Sequence, residues 1–80
     1  MAIDPGLLEK ARRTPGRVLF EEALRLARQL GFEKVRQVRH HRVFRFGSGG
    51  VALNLQEGAH AKAKVYQVQA MLRLAGHGRR

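Results

Sequence analysis

A chain of 80 residues with a net charge of +10, a pI near 11.7 and no cysteine specifies one small basic domain without disulfides or thiolate metal ligands. No apolar run approaches the roughly 20 residues that a bilayer span needs, and the N-terminus lacks a signal-peptide core, so we expect a cytoplasmic protein. Because such a domain attracts polyanions, nucleic acid is the expected partner, while an acidic protein, an anionic membrane surface or a merely solubilising charge coat are the alternatives.

The first 17 residues predict a helical segment. Asp4-Pro5 is typical of a helix start, since Asp can cap and Pro is tolerated at the first helical position. Leu7, Leu8 and Ala11 then form a short apolar stripe, and Thr14-Pro15-Gly16 favours a turn that ends it. The segment is either a helix packed on the main domain or a loosely ordered arm.

We predict that residues 18–76 form the main domain and that residues 77–80 form a basic tail. Apolar residues at helical spacing predict a helix that ends at Gly31. Phe32 is expected to fold back onto its apolar face. The glycine-rich stretch 47–50 predicts a hairpin connection between two of three strands. The predicted elements are a helix Val18–Leu30, strands Glu33–Val38, His40–Phe46 and Val51–Gln56, a loop Glu57–Ala63 and a helix Lys64–Ala75.

This order predicts an α+β fold of the double-stranded-RNA-binding-domain type. Two helices would cover one face of a three-stranded antiparallel sheet in an α-β-β-β-α sandwich, with the short N-terminal helix added. If Phe44 and Phe46 face the helices, strand alternation puts His41 and Arg45 on the uncovered face. Lys34 and Arg36 would join them there if Val35 points inward.

The stretch from Gly31 to Phe44 and its flanks resemble the HicA toxin family. Gly31-Phe32, Arg36-Gln37, His41 and Val43-Phe44 fall at the offsets of the family's Gly-Phe, Arg-Gln, His and hydrophobic–aromatic positions. The segments FEEALRLARQL, LNLQ and AKAKVYQVQAMLRL are similar to its first helix, a strand motif and its last helix, so the resemblance covers about residues 18–75.

The resemblance implies the same fold, metal-independent cleavage of messenger RNA, no cofactor, and inhibition by a HicB-type antitoxin. It implies a catalytic role for His41. Arg39-His40 stands where the family has Gly-Ser, and Val65 stands where it has Pro. The oligomeric state is left open, and a homo-oligomer is one possibility.

Metal-independent RNA cleavage requires a base for the 2′-hydroxyl, an acid for the leaving oxygen and positive charge near the phosphorus. Histidine suits both proton roles, and neighbouring cations favour the neutral imidazole, so His41 is the predicted general base. His40 would point to the opposite face of a regular strand, and no carboxylate or thiolate completes a metal set with it. The predicted RNA-binding residues are Arg36, Arg39, His40, Arg42, Arg45, Lys62 and Lys64.

Three functions from different classes fit this pattern. The first is a toxin that cleaves RNA with His41. The second is a non-catalytic RNA-binding module, which the presence of Arg39-His40 in place of Gly-Ser favours. The third is a basic domain that docks an acidic protein.

Tyr66 could stack on a base, although an aromatic residue at a helix start is more often part of a core or an interface.

Overall fold

The computed structural model describes residues 2–39, 41–46 and 51–77. It confirms the predicted α+β class, with a helix, three antiparallel strands and a helix following a first short helix. The strands lie in chain order, with the second in the centre. The elements are α1 Pro5–Arg13, α2 Phe20–Gln29, β1 Phe32–Val38, β2 His41–Phe46, β3 Val51–Gln56 and α3 Val65–Leu74.

Helix α1 is packed on the domain and is not a loose arm. Asp4 caps it, because its Oδ1 accepts from the N–H groups of Gly6 at 3.0 Å and Leu7 at 3.2 Å. Leu7 and Ala11 are buried in the same core as α2 and α3. The predicted apolar stripe therefore contributes to the main core.

Helix α2 begins at Phe20, so the predicted start at Val18 is wrong. Val18 is extended and fully buried, and Leu19 forms a bridge to Lys62. Val18 and Leu19 therefore make backbone contacts with the segment before α3 and do not join the helix. The Glu22 carboxylate accepts from the Leu19 N–H at 3.0 Å, which is one half of a capping box. The other half is missing, because the Leu19 side chain has no oxygen that could accept from the Glu22 N–H.

The Glu22 carboxylate also joins α2 to α1, since it accepts from the Lys10 ammonium at 2.8 Å. The hydrogen bond from the Lys10 ammonium is the main cause that lowers the pKa of Glu22 below its ordinary value, and the hydrogen bond from the Leu19 N–H is the next.

At the C-terminal end of α2, Gly31 has a φ of 101°, as its predicted cap role requires. Phe32 folds inward as predicted, with its ring centroid 4.9 Å from that of Phe46.

The sheet register assigns each side chain to one of two faces. Phe44, Leu53 and Leu55 face the helices and are buried. On the opposite face, which we call the open face, no element of the described ranges covers the strands. Its side chains are Glu33, Arg36 and Val38 of β1, His41, Val43 and Arg45 of β2, and Ala52, Asn54 and Gln56 of β3.

A bulge in β1 corrects the predicted placement of its side chains. Lys34 pairs with Phe44 and Arg36 pairs with Val43, so Val35 has no partner across the strands. Val35 does not point inward, and it is 48% exposed. Arg36 therefore reaches the open face as expected, but Lys34 lies on the helix side.

Helix α3 begins one residue later than predicted and is followed by Gly76, whose φ of 82° is typical of a glycine that ends a helix. The spacing of Val65, Val68, Leu72 and Ala75 predicts one apolar stripe on this helix. Val68 and Leu72 are buried as that stripe requires, whereas Val65 is 42% exposed and does not belong to it. Gln67 is buried instead and accepts from the Gln56 N–H at 2.8 Å. This hydrogen bond satisfies a backbone donor at the end of the edge strand β3.

No helix in the described part of the chain is long and apolar enough to cross a membrane. The predicted hairpin connection at residues 47–50 lies outside the described residues, as does His40.

Candidate functional site

His41 is the first residue of β2 and lies half-buried on the open face. The register pairs His41 with Gln56 and Val43 with Asn54, which makes Asn54 a diagonal neighbour of His41 on this face. The Nδ1 atom of His41 lies 3.2 Å from Oδ1 of Asn54. The imidazole is therefore held by a side chain from the adjacent strand.

The contact is a hydrogen bond in the neutral tautomer that has its hydrogen on Nδ1. In that tautomer Nδ1 of His41 donates to Oδ1 of Asn54, and Nε2 keeps a lone pair. A histidine in this tautomer can accept a proton at Nε2, which is the role that a general base performs.

Asn54 is the functional candidate that the sequence reasoning missed. The alternation of β3 places Asn54 on the face opposite the buried leucines, the same face as His41. What the sequence lacks is the register between β2 and β3, which decides whether these two side chains meet.

Arg36 and Arg45 lie on the open face with His41, and both are exposed. Arg36 is opposite Val43 and thus diagonal to His41, within reach of a long side chain. Arg45 is four residues beyond His41, roughly 13 Å along the strand. The two arginines line one shallow depression, whose walls are Val35, Arg36, Val43, Phe44, Arg45 and Ala52.

Arg42 lies on the opposite side of the sheet from His41. It pairs with Gln37 on the helix face, and its guanidinium carbon is 5.5 Å from the centre of the Phe20 ring. At that distance the guanidinium and the ring attract each other. The structure thus does not bring Arg42 together with His41, although the two are adjacent in sequence.

Arg39 lies in the turn between β1 and β2 and is exposed. Its φ of 55° is in the left-handed region, which side chains other than glycine and asparagine rarely adopt. The backbone therefore takes a glycine-like conformation at an arginine. His40, the next predicted binding residue, lies outside the described residues.

Lys62 and Lys64 lie at the N-terminal end of α3 as predicted, although Lys64 is the residue before the helix and not its first residue. Lys62 is exposed and forms the backbone bridge to Leu19, while Lys64 is half-buried. Because Gln67 of α3 contacts the end of β3 that pairs with His41, these lysines and His41 lie toward the same end of the sheet.

Tyr66, in the first turn of α3, is 62% exposed. It does not belong to the hydrophobic core of the described residues, so the interpretation as a core aromatic is wrong. Its ring is accessible to a partner.

None of the predicted site cations is neutralised by an ion pair within the described ranges. The ion pairs found there join Lys10 to Glu22 and Arg13 to Glu9, both away from the open face. The exposed cations among them therefore present their positive charge to solvent; these are Arg36, Arg39, Arg45 and Lys62.

Comparison with known proteins gives no match. No family model, curated protein or solved structure is similar to this chain at a significant level.

Proposed function

We propose that this protein is a metal-independent endoribonuclease that cleaves messenger RNA, the toxin of a type II toxin–antitoxin pair. The observation that carries the proposal is the hydrogen bond between His41 and Asn54 on the open face, because it fits the neutral tautomer in which Nε2 of His41 can accept a proton. The resemblance of residues 18–75 to the HicA family supports the same histidine.

In the proposed reaction, Nε2 of His41 removes the proton from a ribose 2′-hydroxyl. The 2′-oxygen then attacks the adjacent phosphorus, the bond from phosphorus to the 5′-oxygen breaks, and the leaving oxygen takes a proton from water or from the imidazolium. The products are a 2′,3′-cyclic phosphate and a 5′-hydroxyl.

The arginines of the open face have separate roles in this proposal. Arg36, diagonal to His41, is the guanidinium placed to stabilise charge on the reacting phosphate. Arg45 is roughly 13 Å from His41 along the strand, so it suits a neighbouring phosphate better. Lys62 and Lys64 would hold the chain at the sheet end beside α3.

The test is cleavage of RNA in EDTA by the wild type and by His41→Ala. We expect the alanine variant to lose about 100-fold or more in rate, the usual contribution of a proton-transferring group. His77→Ala is the matched control, because His77 follows α3, whose ten residues separate it by about 15 Å from the helix start.

Product analysis sharpens the test. A substrate with 2′-deoxyribose at the cleaved position should resist cleavage, and cyclic phosphate ends should accumulate on the RNA. Equal cleavage by wild type and His41→Ala, purified in parallel, would remove His41 from the mechanism.

A second candidate function is an RNA-binding module that does not cleave. The observation that favours it is Arg39, an arginine in a left-handed turn conformation where the resembled family has glycine. This function predicts salt-sensitive RNA binding without cleavage products.

The proposed partner is an acidic, HicB-like antitoxin that covers the open face. Its binding would neutralise Arg36 and Arg45 and exclude RNA from His41. If RNA does not bind even at low salt, this face serves protein recognition alone.

A further inference from the structure

We propose that a second surface, on the helix side of the sheet, binds the phosphodiester backbone of an RNA strand. This surface is the groove between α2 and β1, which we call the α2–β1 groove. It is lined by Glu21, Leu24, Arg25, Arg28 and Gln29 of α2, Lys34 and Gln37 of β1, and Arg42 of β2.

One wall of the groove is a continuous stripe of α2. Leu24 and Arg25 each lie three or four residues from both Glu21 and Arg28, which places the four residues on one helix face. The opposite stripe is buried in the core, so this stripe faces outward. Arg25 and Arg28, one turn apart, are both exposed.

The other wall exists because of the bulge at Val35. Lys34 and Gln37 are three residues apart and would lie on opposite faces of a regular strand. Since Val35 has no cross-strand partner, both lie on the helix side, opposite Phe44 and Arg42 respectively. The bulge thus adds a cation and an amide donor to the groove.

The groove holds four cationic side chains and one carboxylate. None of the four forms an ion pair within the described part of the chain. Bringing four positive charges together with one negative charge costs free energy, and a bound polyanion would lower that cost. Three of the four are arginines, whose planar forks match the oxygens of a phosphate.

Arg42 is the least exposed of these cations. It is half-buried, and its guanidinium packs over the Phe20 ring at 5.5 Å. A side chain that is already held loses less conformational entropy when it binds a ligand.

Two features favour an RNA strand over an acidic peptide. A peptide adding to the edge of β1 needs an uninterrupted row of backbone groups, and the bulge interrupts that row. In addition, Arg42 and His41 are adjacent on opposite faces of β2, so a strand that passes around this end of the sheet contacts both surfaces. The choice of RNA rests on the proposed function.

The experiment measures binding, not cleavage. Fluorescence anisotropy with a labelled single-stranded oligouridylate, in EDTA and across a salt series, compares three proteins that also carry His41→Ala to prevent cleavage. They are the His41→Ala parent, a groove variant with Arg25→Gln and Arg28→Gln, and a control with Arg12→Gln and Arg73→Gln. Both sets remove two exposed arginines, and the control residues do not line the groove.

The groove variant should bind about tenfold more weakly than the control, with a salt slope smaller by about 0.7 for each phosphate that the protein no longer neutralises. Lys34→Gln alone should also lower the slope, because it lies on the other wall. Circular dichroism should show all variants folded, since the altered arginines and Lys34 are exposed and the shared His41→Ala change is at a half-buried surface position.

Equal affinities of the groove variant and the control would overturn the inference. So would a groove variant that binds RNA normally but no longer binds a labelled polyglutamate peptide, because the groove would then recognise acidic protein. Cleavage by otherwise wild-type protein is scored separately, so failure of the ribonuclease proposal and failure of the groove are distinguishable.

Discussion

The hydrogen bond between His41 and Asn54 joins side chains on different strands, and Asn54 is exposed on the sheet surface. Its truncation should therefore leave the fold intact while releasing the imidazole. We expect Asn54→Ala to lower the cleavage rate about fivefold, the equivalent of one hydrogen bond of about 1 kcal/mol.

Rescue by a conservative variant distinguishes positioning from a structural role. Asn54→Asp keeps an oxygen acceptor at the same distance from Nδ1 of His41, so it should retain more activity than Asn54→Ala. It should also move the pH–rate profile upward, because a carboxylate favours the imidazolium. Identical profiles for both variants would contradict the positioning role.

Arg39 offers a test of backbone conformation at a single residue. Its φ of 55° costs an L-residue roughly 1 kcal/mol that glycine does not incur. Arg39→Gly should therefore be more stable than Arg39→Ala by about 1 kcal/mol in urea denaturation. Both variants remove the guanidinium, so the difference between their free energies of unfolding reports on the backbone conformation of the turn. Equal stabilities would show that the turn imposes no strain.

At the scale of elements, the contact between α3 and β3 depends on one buried amide. Gln67 is 7% exposed, and its Oε1 accepts from the Gln56 N–H. Gln67→Met keeps the approximate shape but leaves that N–H without an acceptor, so we expect a loss of about 1–3 kcal/mol. Gln69→Met, on the exposed side of α3, should cost less than about 0.5 kcal/mol. Equal effects of the two substitutions in urea denaturation would contradict this role of Gln67.

The order of elements could be predicted because it depends on local patterns. Helical spacing, Gly31 and Gly76 as caps, and alternation in β3 are each encoded within a few residues. The start of α2 could not be predicted, because Val18 and Leu19 are held by contacts with Ala63 and Lys62, more than forty residues away in the chain.

The candidate site could likewise be predicted only where it depends on local sequence patterns. Alternation along β2 is local, so the separation of His41 and Arg45 from the inward-facing phenylalanines followed from the sequence. The placement of Lys34 and the His41–Asn54 contact did not, since the first depends on a bulge and the second on the register of two strands.

At the scale of the whole molecule, α1 shares the core of the domain. Leu7 is 5% exposed and packs in the cluster that includes α2 and α3. Leu7→Ala should cost about 2–4 kcal/mol, a large part of the stability of so small a domain. Ile3→Ala, at a position 36% exposed, is the control and should cost less than about 1 kcal/mol. A mild effect of Leu7→Ala on the thermal midpoint would show that α1 is dispensable.

The unpartnered Val35 has a consequence for changes in chain length. Without it, the remaining residues of β1 would alternate regularly while each kept its present cross-strand partner. A deletion at this position therefore preserves which side chains face the helices, whereas a deletion outside the bulge of Val35 and Arg36 exchanges the two faces for part of the strand. Val35 is thus the point at which this strand can lose a residue during evolution, or in protein engineering, without reassigning its charges.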